Sequence, residues 1–156
     1  LCNLAASIAN RGFFFTPHIH KNTDHTPLPA RFLTPHQTQA SPEAYATVVA
    51  GMRLAVTKGT ATELNRTSYP VCGKTGTAEN AGKDHSAFIG FAPMNHPKIA
   101  IAVYIEHGGF GADMAAPIAG LIMEEYLKGR LSPRSLATAK RLERMQILEK
   151  RVSSTK

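Results

Sequence analysis

The sequence has no tryptophan, only two cysteines, and no apolar run near the ~18 residues that a membrane-spanning helix needs. Cys2 and Cys72 are too few for a disulfide scaffold, and no Cys-x-x-Cys spacing points to zinc or redox chemistry. Spacing alone leaves a Cys2–Cys72 bridge as the lesser alternative to two separate thiols. The amino terminus lacks both an initiator methionine and the basic-then-apolar pattern of a signal segment, so the sequence reads as a piece of a longer chain. Acidic residues are scarce, 11 against 18 Lys+Arg, which gives a formal net charge of +7. With 43% apolar and 19% charged residues, the 156-residue chain has globular composition and the length of one domain or part of one.

The shortage of acid is local. Residues 1–128 hold ten basic and nine acidic side chains, whereas residues 129–156 hold eight basic and two acidic. This distribution argues against a nucleic-acid-binding domain, whose cations would line a folded face. The basic tail reads as solvated, with contact to anionic lipid or an acidic partner as the alternative.

Helical spacing of Leu1, Leu4, Ala5, Ile8 and Ala9 predicts an opening helix that stops at Asn10-Arg11-Gly12. Phe13-Phe14-Phe15 predicts extended chain. Residues 20–41, with prolines at 27, 29 and 35, predict a long loop holding one short strand at Arg31–Leu33. Ser41-Pro42 is a helix start, followed by a core stripe of Tyr45, Val48, Val49, Met52 and Val56. A second short helix is predicted over Thr60–Arg66. The period then changes: strands are predicted over Ala87–Ala92 and Lys98–Glu106, the latter apolar on both faces like a central strand. Gly108-Gly109-Phe110-Gly111 reads as a flexible loop. Met114, Ile118, Leu121, Ile122 and Tyr126 form a helical stripe, and Ser132-Pro133 opens a last helical segment.

The stretch richest in chemistry is Val71-Cys72-Gly73-Lys74-Thr75-Gly76-Thr77-Ala78. As a phosphate-binding loop it fails, because that motif needs glycine at position 68, which is serine, and a helix after the loop where strands follow instead. As a structural turn it would merely expose a lysine. As a strand at a cleft, it would set Lys74 as a fixed positive charge for a substrate carboxylate. Thr75 and Thr77 would share a strand face, Gly76 would admit close approach of other backbone, and the Thr77 N–H could serve half of an oxyanion hole. His85 is a further candidate cleft residue, set against plain loop exposure. His18 and His20 would share a strand face as a metal pair, but they lack a third ligand at useful spacing, so a surface role is the better reading.

The order Thr57-Lys58-Gly59-Thr60-Ala61, Lys74-Thr75-Gly76-Thr77-Ala78-Glu79-Asn80, Asp84–Pro93, Ile99–Glu106 and Ala115-Ala116-Pro117-Ile118 resembles the C-terminal half of a class B penicillin-binding protein transpeptidase domain, most similar to the elongation-type members. The helix at Asn3–Gly12 fits the same resemblance, which covers roughly residues 1–128 and leaves 129–156 as a basic, partly helical or disordered tail. The resemblance implies an α+β fold, an antiparallel β-sheet flanked by helices. It implies a peptidoglycan D,D-transpeptidase parent, anchored in the bacterial inner membrane with its catalytic domain in the periplasm, that cross-links stem peptides through a serine acyl-enzyme and is acylated by β-lactams. No metal or cofactor is implied. The expected partners are peptidoglycan stem peptides, β-lactam antibiotics and, through the parent, cell-wall elongation proteins. By that resemblance Lys74 and Thr77 would take the catalytic positions and Thr75, Gly76 and Thr77 the substrate-binding ones, to which His85 is added as the candidate cleft residue.

Two of the three motifs of that family are missing. The only Ser-x-x-Lys is Ser153-Ser154-Thr155-Lys156, on the wrong side of the Lys-Thr-Gly element, and Ser-x-Asn does not occur. The chain alone is therefore expected to form no acyl-enzyme. A non-catalytic module that senses peptidoglycan or β-lactams is the runner-up, and a serine β-lactamase ranks below it for want of a motif assigning a deacylating water. A fragment of this kind is expected to leave a sheet edge bare, and so to self-associate or to cover the edge with a helix.

Overall fold

The computed structural model describes residues 1–21, 23, 26–66 and 68–145. They fall into two compact units, one of Leu1–Lys74 with Ile89–Ala102, the other of Thr75–Phe88 with the chain from Val103 onward. The Ser-x-x-Lys match at 153–156, set aside above, lies outside the described residues.

In the first unit, α1 (Cys2–Ala9) ends as the sequence predicts but with a different residue in the left-handed position. Arg11 takes φ +59°, its N–H bonds Ile8 O at 3.1 Å, and Gly12 N–H bonds Ser7 O at 2.9 Å. The Arg11 guanidinium donates to the carbonyls of Ile8, Ala9 and Met94 and lies 5.6 Å from the Phe91 ring centroid. One arginine thus collects the orphan carbonyls at a helix end and covers an aromatic core residue.

Phe13–Phe14 (β1) pairs antiparallel with His36–Gln37 (β2), a partner the loop-like sequence did not announce. Arg31–Leu33, expected as a strand, is instead part of the short helix α2 (Ala30–Leu33). Pro29 sets the entry with φ −54°, and Thr34 closes the turn through its N–H and its hydroxyl, both on Ala30 O. The next helix, α3 (Pro42–Thr57), starts where Ser41 Oγ accepts from Ala44 N–H. Tyr45, Val49, Met52 and Val56 are buried, but Val48 is 45% exposed, because the buried stripe is narrower than the apolar one. The predicted helix over Thr60–Arg66 contracts to a 3-10 turn at Thr62–Leu64 that buries Leu64. Ile8, Ala9, Tyr45, Val49, Met52, Cys72 and Phe91 form one core cluster, with Met94 and Ala100 packed against it.

Three strands, β3 (Cys72–Ala78), β4 (His85–Ala92) and β5 (Ile99–Ile105), lie in the order β3-β4-β5. The connections 79–84 and 93–98 are too short for parallel crossovers, so the sheet is an antiparallel meander. Among the described residues β4 lies between β3 and β5, so β5, apolar on both faces like a central strand, has a strand on one side only. Burial, not pairing on both edges, accounts for the two apolar faces of β5. Ile101 and Val103 are buried on one face, and Ala100 packs against the core cluster from the other. At the same strand, the Cys2 thiol of α1 reaches Ala100 O at 3.6 Å. Both cysteines are free.

The second unit carries α4 (Ala115–Lys128), closed by Gly129 at φ +67°, and α5 (Pro133–Glu143), capped by Ser132 Oγ on Ser135 N–H. The buried face of α4 differs from the predicted stripe. It is made of small residues, Ala115, Ala116, Ala119 and Gly120, with Met123, while Ile122 and Tyr126 stay exposed. The Glu124 carboxylate, also buried, accepts from the hydroxyls of Ser132 and Ser135 and so ties α5 to α4. The architecture is α+β, an antiparallel sheet flanked by helices.

Candidate active site

β3 is an end strand of its sheet, and its central residues alternate in exposure. Lys74, Gly76 and Thr77 are exposed, while Thr75 is buried. Period-two geometry puts Lys74 and Gly76 on one face and Thr75 and Thr77 on the other. The ammonium and the two hydroxyls therefore do not share a face, and the one threonine on the exposed part of the strand is Thr77.

The backbone contact expected at Gly76 exists, but the residue that permits it is Gly111. A Cβ on Gly111 would collide with Ala87 O and lie 3.0 Å from Gly76 N. A Cβ on Gly76 would meet only the Ala87 methyl, at 3.5 Å. Glycine at 111 is thus what lets the 106–114 loop lie against the β3–β4 backbone.

That loop is fastened at several further points. Ser86, fully buried on β4, donates from Oγ to Phe110 O and accepts from Ala115 N–H, both at 3.0 Å. Gly109, at φ +75°, donates to Asp84 O at 2.8 Å. His107, at φ +55°, donates its N–H to His85 Nδ1 at 2.9 Å, and its own Nδ1 donates to Lys83 O at 3.1 Å. Because His85 Nδ1 accepts, the proton of its neutral ring resides on Nε2. The His85 ring also packs against Tyr104 and His107, with centroids at 5.5 and 5.1 Å. His85 therefore holds the loop through Nδ1 and has only Nε2 to offer elsewhere.

Beside these contacts is a cavity of about 390 Å³ lined in part by Lys83, Asp84, Gly109, Phe110 and Asp113. Its charged groups come from the turn after β3 and from the fastened loop. Ser86, His107 and Gly111 were missed as positioning residues. The only signal for them was the glycine density at 108–111, which reads as flexibility when no packing partner is known.

Cys72 precedes the motif but is no nucleophile. Burial pushes its thiol up to about 11, against a smaller opposite pull from Arg53 and then Arg11. Arg53 is held by Val71 O and Asn65 Oδ1, both at 2.9 Å. His18 donates from Nδ1 to Thr16 O and packs on Phe32, and His20 is exposed. Among the described residues, no group of three or more His, Cys, Asp or Glu side chains is placed to hold a metal ion, and no helix is long and apolar enough to cross a membrane.

Comparison with known proteins bears on the fold and the family. The solved structure of PBP2 from Pseudomonas aeruginosa, in complex with WCK 5153, superposes with a TM-score of 0.71 at 33% identity, covering 85% of this chain and 30% of that one. Penicillin-binding protein A from M. tuberculosis, solved as a ceftriaxone acyl-enzyme complex, gives a TM-score of 0.68 at 26% identity, covering 81% of this chain and 31% of that one. In sequence, the peptidoglycan D,D-transpeptidase MrdA of Haemophilus influenzae is 36% identical over 80 residues, 41% of this chain and 12% of the relative. The peptidoglycan D,D-transpeptidase PbpA of Mycolicibacterium smegmatis is 34% identical over 129 residues, 74% of this chain and 26% of the relative. The chain thus matches only a minor part of each relative's length. Residues 1–124 match the penicillin binding protein transpeptidase domain, and the chain belongs to that family.

Proposed function

We propose that this chain is the C-terminal portion of the transpeptidase domain of a peptidoglycan D,D-transpeptidase of the elongation type, with residues 1–128 forming that portion and 129–156 appended to it. The observation that carries this reading is the placement of Lys74-Thr75-Gly76-Thr77 on the end strand β3 of an antiparallel sheet. An end strand has a backbone edge that no other strand of its sheet uses, and an extended peptide can pair with it. Lys74 supplies the positive charge for a stem-peptide carboxylate or its β-lactam equivalent. The Thr77 N–H supplies one donor to the oxyanion that forms when a serine attacks the peptide carbonyl. Thr77 offers its hydroxyl to the bound peptide, Thr75 and Gly76 shape the strand beneath it, and His85 holds the loop beside it. The serine and its lysine partner come from outside this sequence, since a Ser-x-x-Lys in the right place and a Ser-x-Asn are both missing here.

In this reading the parent acts in the bacterial periplasm, anchored in the inner membrane, alongside proteins of cell-wall elongation. The isolated chain forms no acyl-enzyme. Incubating the 156-residue chain and its full-length parent with a fluorescent penicillin, then separating them on a denaturing gel, tests both statements. A band is expected on the parent and none on the chain. A covalent band on the chain would refute its inactivity. A parent with no band under conditions that label a control transpeptidase would favour a non-catalytic peptidoglycan-sensing or β-lactam-sensing module, the reading that the missing motifs support.

A further inference from the structure

Two histidines meet where the 106–114 loop leaves β5, and they hold it in chemically different ways. The His107 backbone N–H donates to His85 Nδ1 at 2.9 Å, while the His107 ring donates from its own Nδ1 to Lys83 O at 3.1 Å. A backbone N–H can only donate, so the first bond requires a bare Nδ1, which only neutral His85 has. A backbone carbonyl can only accept, so the second bond survives whether the His107 ring is neutral or charged. The two ring centroids are 5.1 Å apart, and two charged rings at that distance repel each other. The other fasteners of the loop do not titrate: Ser86 Oγ holds Phe110 O and Ala115 N–H, and Asp84 O holds Gly109 N–H.

We propose that His85 is a proton-sensitive positioning residue: as the neutral imidazole it latches the β5 end of the 106–114 loop, and on gaining a proton it lets that end go. Histidine is the side chain whose charge ordinarily changes between about pH 5 and 8. Protonation fills Nδ1, leaves the His107 N–H without its acceptor and turns two donors toward each other. His107 sits at φ +55°, a conformation that a non-glycine residue keeps only where its contacts hold it, so the freed residue is driven to move. The motion reaches the site strand because Gly111 of the same loop lies against Gly76 N and O. Ionisable groups stand on every element around the latch: Glu79 after β3, Lys83 and Asp84 in the turn before β4, Tyr104 on β5, and Glu106 and His107 after it. They set where along the pH axis His85 charges, whereas the loss of the acceptor follows from the charging itself. The latch does not need the transpeptidase reading; its effect on acylation rests on that reading.

Amide exchange in the 156-residue chain reads the latch directly. The protection factor of the His107 N–H should fall at least about tenfold between about pH 7.5 and about pH 5, while that of the Ala115 N–H, held by Ser86, stays the same. In His85→Asn the amide oxygen takes the place of Nδ1 and does not titrate, so protection at His107 should persist at both pH values. In His85→Ala it should be low at both. Full protection of His107 at the lower pH in the unaltered chain would overturn the proposal. So would an equal acid loss in His85→Asn, which would give the effect to another group, or an equal fall at Ala115, which would mean that acid loosens the whole unit. In the full-length parent, acylation by fluorescent penicillin should lose at least about threefold more of its rate in acid with His85 than with His85→Asn. Equal acid losses would overturn the link to the site. A parent acylated at neither pH would count against the transpeptidase reading, and exchange at His107 would still decide the latch.

Discussion

Ser86 Oγ on β4 accepts a hydrogen bond of 3.0 Å from the backbone N–H of Ala115, the first residue of α4, while donating one of the same length to Phe110 O. A single hydroxyl with no solvent exposure therefore joins a strand, a loop and a helix start. Ser86→Ala leaves a donor and an acceptor without this partner in a buried place, which costs about 1–3 kcal/mol. Urea unfolding should show a midpoint lowered to match, with an unchanged slope. A variant as stable as the parent would mean that water takes over both bonds.

Gly111 makes a sharper prediction. Gly111→Ala drives a methyl group into the backbone of Ala87 and Gly76, and backbone cannot swing aside as a side chain can. The cost should be about 1–3 kcal/mol or more, as for overpacking elsewhere, and β3 should show it in faster amide exchange at Gly76 and Thr77. Gly82→Ala, with nothing within 4 Å of its added methyl, is the matched control and should leave exchange in β3 unchanged.

The two threonines of the motif should separate stability from binding. Thr75 is buried, so Thr75→Ala should lower the melting temperature of the chain. Exposed Thr77 should tolerate Thr77→Ala within about 0.5 kcal/mol. In the full-length parent, Thr77→Ala should slow acylation by labelled penicillin without changing its melting temperature. Lys74→Ala should slow it further, and equal acylation rates for all three proteins would remove the motif from the site.

The cysteines report on the fold directly. Cys2 is exposed and Cys72 fully buried, so a thiol reagent should modify one cysteine in the native chain and two after denaturation. The Cys72 thiol is raised to about 11 when folded, from its ordinary value of 9.0. Between these pH values the unfolded chain loses a proton that the folded chain keeps, so the folded state binds more protons and stability falls as pH rises through this window. The loss should be on the order of 1 kcal/mol, and Cys72→Ala should flatten the pH dependence between about 9 and 11. A profile unchanged by that substitution would show that another group controls it.

Glu124 should be needed to dock α5. Glu124→Ala removes the acceptor shared by Ser132 and Ser135 and opens a polar void between two helices. Cleavage by trypsin at Arg134, Lys140 and Arg141 should accelerate at least several-fold while sites in α3 keep their protection. Uniform acceleration at both helices would mean that the substitution unfolds the chain as a whole.

Local chemistry made several features legible in the sequence. Ser41-Pro42 and Ser132-Pro133 start helices because a hydroxyl cap and a preset φ act within one turn. Cys72–Ala78 forms the strand that the cleft reading of that stretch assumes, and the Lys-Thr-Gly-Thr order carries the family resemblance. The tertiary structure decided what depends on partners far along the chain. It left Val48, Ile122 and Tyr126 exposed, because an apolar stripe records which side a helix can bury but not how wide its partner is. Pairing of β1 with His36–Gln37, the place of β4 between β3 and β5, and the close backbone approach at Gly111 all depend on segments far away in sequence. So does His85, whose Nδ1 faces the His107 N–H instead of open solvent. Periodicity is a property of neighbours along the chain, whereas burial and hydrogen-bond partners belong to neighbours in space.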